Sequence, residues 1–366
     1  MIDEEPQKEI PIGLGGELNR LTQEKWREHL LLFSQVKNTV LEVNPYIYPP
    51  LKLEEGKPSP LGLFAEAAFE KIGEAPSPGK YLLEVWRVHP RSALLGRVVF
   101  TDKERRLYRD TDLKGIGLIG EPWGALLREP QVSVPGRKWG DLGRLGLLDR
   151  GTALSDYEKS EEFLKAGIRT YRILAIIGLK ELVANQRKLS LKEAIKEGII
   201  DKRFHPAIEV RAFGTKLRIE DFYSESEYSE NDVELLLDDA RKLVSQELGR
   251  KEPLSEEEYL SWFAKTLGEN VGSMHKNGWY HRYLSPHNIT LDCRIVDLDS
   301  IVQLRDEVQR EKDLYEARSS FWALLTSLNI NRSKIEPLRE QVEKSYNSVF
   351  PPEERERYFN RVSKEK

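Results

Sequence analysis

One stretch, from Ser255 to Asp299, narrows the fold more than any other part of the chain. It opens on Ser255 with Glu258 three positions on, the spacing at which two side chains cap the orphan N–H groups of a helix start. Leu254 and Tyr259 stand at the positions of a hydrophobic staple. Leu260, Phe263, Leu267, Val271 and Met274 recur at helical spacing as one buried stripe, and Gly278 supplies a left-handed stop. Directly behind it run Trp279-Tyr280-His281-Arg282-Tyr283-Leu284-Ser285-Pro286-His287-Asn288, then Ile289 to Leu291, then Arg294-Ile295-Val296-Asp297-Leu298-Asp299. The apolar pairs predict a short hairpin that Asn288 enters and Asp297 leaves. An amide oxygen and a carboxylate are hard donors, the kind Mg²⁺ takes while it keeps water and phosphate oxygens.

The rest of the chain indicates how such a ribbon is housed. Strand signals run through Tyr81–Trp86, Leu94–Phe100 and Arg106–Leu113, the last two joined by a turn at 102–105. Ser155 and Glu158 have the capping form again and predict a helix that ends at Gly167. Further strands are expected over Tyr171–Leu179 and Ala207–Phe213, with a short helix over Ser190–Gly198 between them. From Asp232 onward the pattern is helical. A strand-rich first part and a helix-rich second part predict an α+β chain of two lobes. Residues 1–60 read as an N-terminal helix and extension, with Leu21, Trp26, Leu30, Phe33 and Val36 on one stripe of a helix over Glu17–Leu41. Residues 61–223 form the strand-rich lobe and 224–366 the helical one.

Composition excludes several classes. With 366 residues there is material for two cores, and a formal net charge of -4 gives no field for a nucleic-acid backbone. No run approaches the roughly 18–20 apolar residues that span a bilayer, so no membrane partner is expected. A single cysteine, Cys293, allows neither an internal disulfide nor a multi-cysteine zinc site. The expected location is the cytoplasm.

Protein kinases set a catalytic loop, H-R-D-L-x-x-x-N, between a long helix and a metal-binding Asp. His281, Arg282, Leu284 and Asn288 fall in that register, and a protein-kinase-like two-lobed α+β fold follows as the expectation. The interval from Asn288 to Asp297 is shorter than in ordinary kinases and resembles that of the selenoprotein O group, kinase-like proteins that transfer AMP from ATP to protein hydroxyls. Other stretches are similar to that group in the same order. They are Asp112 to Gly117; Ser160-Glu161 with Gly167 to Arg172; and Val210-Arg211-Ala212 with Leu217-Arg218.

The resemblance implies ATP and Mg²⁺ (or Mn²⁺) as cofactors, a protein substrate, and a set of roles. Lys114 would hold a phosphate and pair with Glu161, Arg211 and Arg218 would lie along the triphosphate, and Asn288 and Asp297 would bind the metal. Two departures bear on catalysis. His287 replaces the group's Asp before the metal-binding Asn, and Tyr283 occupies the ordinary kinase base position. His287 as a neutral imidazole could take a proton. Asp299, where the group has Gly, adds charge beside the metal and offers a further ligand or base. The alternatives to AMP transfer are a kinase acting through the γ-phosphate and an ATP-binding pseudokinase. Gly140 to Arg144 is a candidate phosphate-covering loop.

Overall fold

A computed structural model describes residues 30–48, 50–68, 78–85, 91–120, 126–131, 146–184, 187–222 and 230–364. The chain divides into two compact units, 1–157 with 172–212, and 158–171 with 213–366. The expected covering loop at 140–144 lies outside the described residues.

The first unit is built on strands. β1 (Leu30–Gln35), β2 (Asn38–Val43), β3 (Leu63–Ala68), β4 (Lys80–Val85), β5 (Ser92–Thr101) and β6 (Leu107–Lys114) come first. The short β7 (Leu118–Gly120), β8 (Leu126–Gln131) and β9 (Leu148–Asp149) follow, then β10 (Arg172–Leu179), β11 (Glu181–Ala184), β12 (Arg187–Ser190) and β13 (Pro206–Phe213). Among the described residues the main sheet runs β2-β10-β13-β6-β5-β4-β1-β3, with β9 beside β13. Strands β6 and β13 are buried along their whole length. Because side chains alternate faces, Ile208, Val210 and Ala212 join the apolar core with Leu113. Glu209 and Arg211 point to the other face, where Arg211 meets Asp112.

The helix expected over 17–41 is not what its later part forms: residues 30–43 are β1 and β2. β1 is laddered on both sides, to β3 and to β4. An inner strand carries apolar residues without a break, and such a run can mimic a helical stripe. A second correction concerns α1 (Arg150–Lys165), which begins ahead of the Ser155 motif. Asp149 accepts from the Gly151 N–H at 2.8 Å and caps the helix there, so Ser155 sits inside it. Gly167 ends that segment at φ 79°, as its type predicts. In α2 (Leu191–Lys196) the capping box on Ser190 and Glu193 is complete.

The second unit is helical: α3 (Glu230–Glu247), α4 (Glu256–Lys276), α5 (Glu307–Ser327), α6 (Arg332–Val349) and α7 (Pro352–Val362). Ser255 and Glu258 form the capping box of α4, and its expected stripe is buried throughout. Helices α4 and α6 cross where α4 has no side chains. A Cβ at Gly268 would stand 2.2 Å from the Val342 carbonyl, and one at Gly272 3.0 Å from that of Tyr346. Phe263 and Phe321 stack across the same core, 5.5 Å between centroids. A two-residue ladder, β14 (Trp279–Tyr280) with β15 (Val302–Gln303), closes the ends of the segment that carries Asn288 and Asp297.

Candidate functional site

The loop after α4 is held by its backbone. Asp313, buried on α5, accepts from two successive N–H groups, His281 at 2.7 Å and Arg282 at 3.0 Å. His275 stands behind it with Nε2 3.3 Å from Asp313 and Nδ1 3.0 Å from the Tyr346 hydroxyl. Burial lowers the His275 pKa and pushes Tyr346 up to about 12, so a protonated phenol donates to a neutral ring and the ring donates to Asp313. On the far side of the loop, Leu284 gives its N–H to Glu316 and takes a bond from Ser320. With its neighbours so tied, Arg282 is held at φ 79°, a conformation that costs a side-chain-bearing residue free energy.

His281 joins this loop to the strand that ends in Asp297. Its Nε2 is 2.9 Å from the carbonyl of Val296, and its Nδ1 faces the Tyr283 N–H. Val296 in turn bonds through its N–H to the Asn288 carbonyl at 3.0 Å, so Asp297 leaves the ribbon directly beyond Asn288. Asp297 has φ 65° and ψ 54°, a left-handed turn that aspartate tolerates better than most residues. Ser300 braces it, with its hydroxyl 3.0 Å from the carbonyls of both His281 and Asp297.

Asn288 is 4% exposed. Its Nδ2 donates to the Tyr283 carbonyl at 2.8 Å, which fixes the amide plane, and its Oδ1 is buried with no hydrogen-bond partner among the described residues. A buried acceptor left in that state costs about 1–3 kcal/mol, and in a native structure it calls for an explanation, such as a bound ion. A hard-oxygen pair of Asn288 Oδ1 and the Asp297 carboxylate fits a divalent cation that draws its remaining ligands from water and phosphate. Among the described residues no three His, Cys, Asp or Glu side chains gather as a cage made of protein alone.

The tip of the ribbon is closed by charge. Arg294 is fully buried, 2.6 Å from Asp292 and 2.9 Å from the Thr170 carbonyl, and Arg169 pairs with Glu247 and stacks over Trp262. Gly214 makes room for Asp292, whose carboxylate would lie 1.9 Å from a Cβ there. Cys293 is buried in this turn, and desolvation raises its pKa.

His287 and Arg218 meet beside Asn288. Arg218 donates through Nη1 to the His287 carbonyl at 2.7 Å, and its own N–H goes to Asp221. His287 Nδ1 is 2.8 Å from a Glu220 carboxylate oxygen. Burial lowers the His287 pKa, as does the Arg218 charge, while Glu220 and Asp297 oppose them. The ring is therefore neutral at pH 7. Burial also lifts Asp221, to about 6.

The other expected residues belong to their own units. In the strand-rich unit Lys114 is buried, 3.4 Å from Asp156 and 3.8 Å from Glu209, and Arg211 holds Asp112 through two bonds of 2.8 and 2.6 Å. Glu161, on α1 in the second unit, is also buried. Sequence reasoning missed Asp156, Glu220, Asp221 and Asp313. The adjacent acids after Arg218 were a signal for two of them; Asp313 left none, because only the fold brings it under the loop.

No known family pattern matches the sequence, and no curated protein does. Among solved structures, "WaaP in complex with acyl carrier protein" is 13% identical, over 73% of this chain and 90% of that one, with a TM-score of 0.27. "Crystal structure of Toxoplasma gondii specific rhoptry antigen kinase domain" is 9% identical over 79% of each chain, with a TM-score of 0.35. The chain has an α+β fold, a strand-rich unit and a helical one. No helix among the described residues is long and apolar enough to cross a membrane.

Proposed function

We propose that this protein binds ATP with a divalent cation at Asn288 and Asp297 and transfers the γ-phosphoryl group to a hydroxyl. The observation that carries the reading is the buried, unpartnered Oδ1 of Asn288, held in place by its own amide and followed across the ribbon by Asp297. A cation bound there would neutralise phosphate oxygens and align them for displacement. The protein's own groups do the rest. His287 is neutral, and the nearby Glu220 carboxylate favours the tautomer with the proton on Nδ1, which leaves Nε2 as the base. It accepts the acceptor hydroxyl's proton as oxygen bonds to the γ-phosphorus and the bond to the β-phosphate oxygen breaks. Glu220 then steadies the imidazolium, and ADP leaves.

Transfer of AMP to a protein hydroxyl, the activity implied by the selenoprotein O resemblance, is the second reading. It uses the same ligands and differs in which phosphorus is attacked. The short interval between Asn288 and Asp297 supports it. Labelled ATP separates the two on purified protein with Mg²⁺, using casein as a general acceptor and an Asp297→Asn control. Label from the γ-position, absent in the control, is the expected result. Label from the α-position means adenylyl transfer. Transfer from neither, with ATP still bound, leaves a nucleotide-binding pseudokinase.

A further inference from the structure

Beside the loop that carries Asn288, in the helical unit, a cavity of about 420 Å³ has Tyr280, Arg282, Tyr283, Arg305, Gln309 and Lys312 in its lining. Three of these are cations and none is an acid. Arg282 and Arg305 make no ion pair among the described residues; Lys312 has one, to Glu316 at 3.8 Å. The acids at the start of α5, Glu307 and Glu311, are both taken up by Arg310. Arg282 and Lys312 both lie over the half-exposed Tyr283 ring, at 5.6 and 5.7 Å from its centroid. The backbone holds one of these charges in place: Asp313 and the left-handed turn fix Arg282. Strain of that sort concentrates at ligand clamps.

We infer that this cavity is the subsite for a phosphate group already present on the acceptor molecule, so that the acceptor is a phosphorylated compound or phosphoprotein. Two planar guanidinium forks and an ammonium match the several acceptor oxygens of a phosphate. The amide of Gln309, and the hydroxyl of Tyr280, whose pKa burial raises, add neutral donors. The anion comes from outside this segment of chain. Between Asp297 and the start of α5 the one hydroxyl residue is Ser300, and its oxygen is engaged with the carbonyls of His281 and Asp297.

The inference names the substrate class of the transfer site proposed above and rests on that reading, but its test does not depend on transfer. Binding of inorganic phosphate and of phosphoserine, with serine and acetate as controls, is measured by calorimetry on the full chain. Wild type is expected to bind both phosphates and neither control. Arg282→Gln and Arg305→Gln are each expected to weaken binding about tenfold or more. Asp297→Asn is expected to leave it unchanged, and ATP affinity is expected to be the same in both arginine variants. Arg305, exposed on a loop, serves as the variant with no part in folding. The inference is overturned by phosphate binding that survives both arginine changes, by phosphate binding lost in Asp297→Asn, or by no phosphate binding in wild type. Loss of ATP binding alone would sink the transfer reading and leave this one standing.

Discussion

In the strand-rich unit the buried charges answer one another: Arg211 closes on Asp112, and Lys114 faces Asp156 and Glu209. In the helical unit the loop with Asn288 is gathered mainly by backbone groups, two of them onto a single carboxylate, Asp313, and the Asn288 side-chain oxygen is left open. The first arrangement holds a strand face together by paired ions. The second fixes a loop in a strained shape and reserves an oxygen for something else. Pre-organisation of the second kind is what a binding or reacting site needs, because the donor groups do not have to move when charge arrives.

The contrast breaks most visibly if one partner of the ionic face is removed. Arg211→Leu leaves Asp112 buried without its cation and is expected to cost about 3–5 kcal/mol in urea unfolding. Adding Asp112→Leu should recover most of that loss, because a well-packed apolar pair replaces a buried ion pair at little cost. A double variant as unstable as the single would mean that Asp112 is held mainly by other groups.

The helical unit should answer in the opposite currency, activity rather than stability. Asp297→Asn keeps the side-chain shape and tolerates φ 65° but removes the charge. Transfer should fall by about 10²–10³-fold, with unfolding free energy within about 0.5 kcal/mol of wild type. Asn288→Ala should do the same to activity. A large loss of stability in either variant would place these residues in the scaffold instead.

Asp313 tests what holds the loop. Asn at that position keeps one acceptor oxygen but turns an NH₂ toward backbone N–H donors, at an expected cost of about 2 kcal/mol. Its second effect should be on the geometry of Arg282, seen as weaker phosphate binding at the neighbouring cavity. An unchanged affinity would separate the tether from the turn.

How much of this could be read from the residues alone depends on where the determinants lie. The helix from Ser255 to Gly278 was legible because its cap, stripe and stop are all local, and so was the ribbon, whose apolar pairs flank its two oxygen donors. The strands at 30–43 were not, since β1 is laddered to segments far along the chain and its continuous apolar run fits a helix as well. The Ser155 motif misled for a related reason: a competing cap at Asp149 decides where the helix begins. Asp313 reaches the loop only through tertiary packing, so no spacing announces it. The charged residues of β6 and β13 alternate with apolar ones as an exposed face would, and the sequence does not say that this face is covered.

The smallest expected effect concerns pH. Asp221 has its pKa lifted to about 6 by burial, against a bond from the Arg218 N–H and the Arg218 charge, which lower it. The folded chain therefore keeps this proton at a pH where the unfolded chain, near 3.8, has released it. Its contribution to stability is present in full below about 3.8 and is lost as pH rises through about 6. His275 and His287 act with the other sign. Burial lowers both, so the unfolded chain takes up protons below about 6.5 that the folded chain refuses, and stability falls as pH drops there. Asp221→Asn removes the first arm and leaves the second. Its amide oxygen can still accept from Arg218, while the Arg218 charge loses a counter-ion, so the gain should be modest. The variant should become more stable than wild type as pH climbs from 4 to 7, by about 1–2 kcal/mol at neutrality. Urea midpoints across that range decide it: a difference between the two proteins that stays flat with pH would mean Asp221 titrates alike in the folded and unfolded chains, and that the Arg218 contacts offset its burial in full.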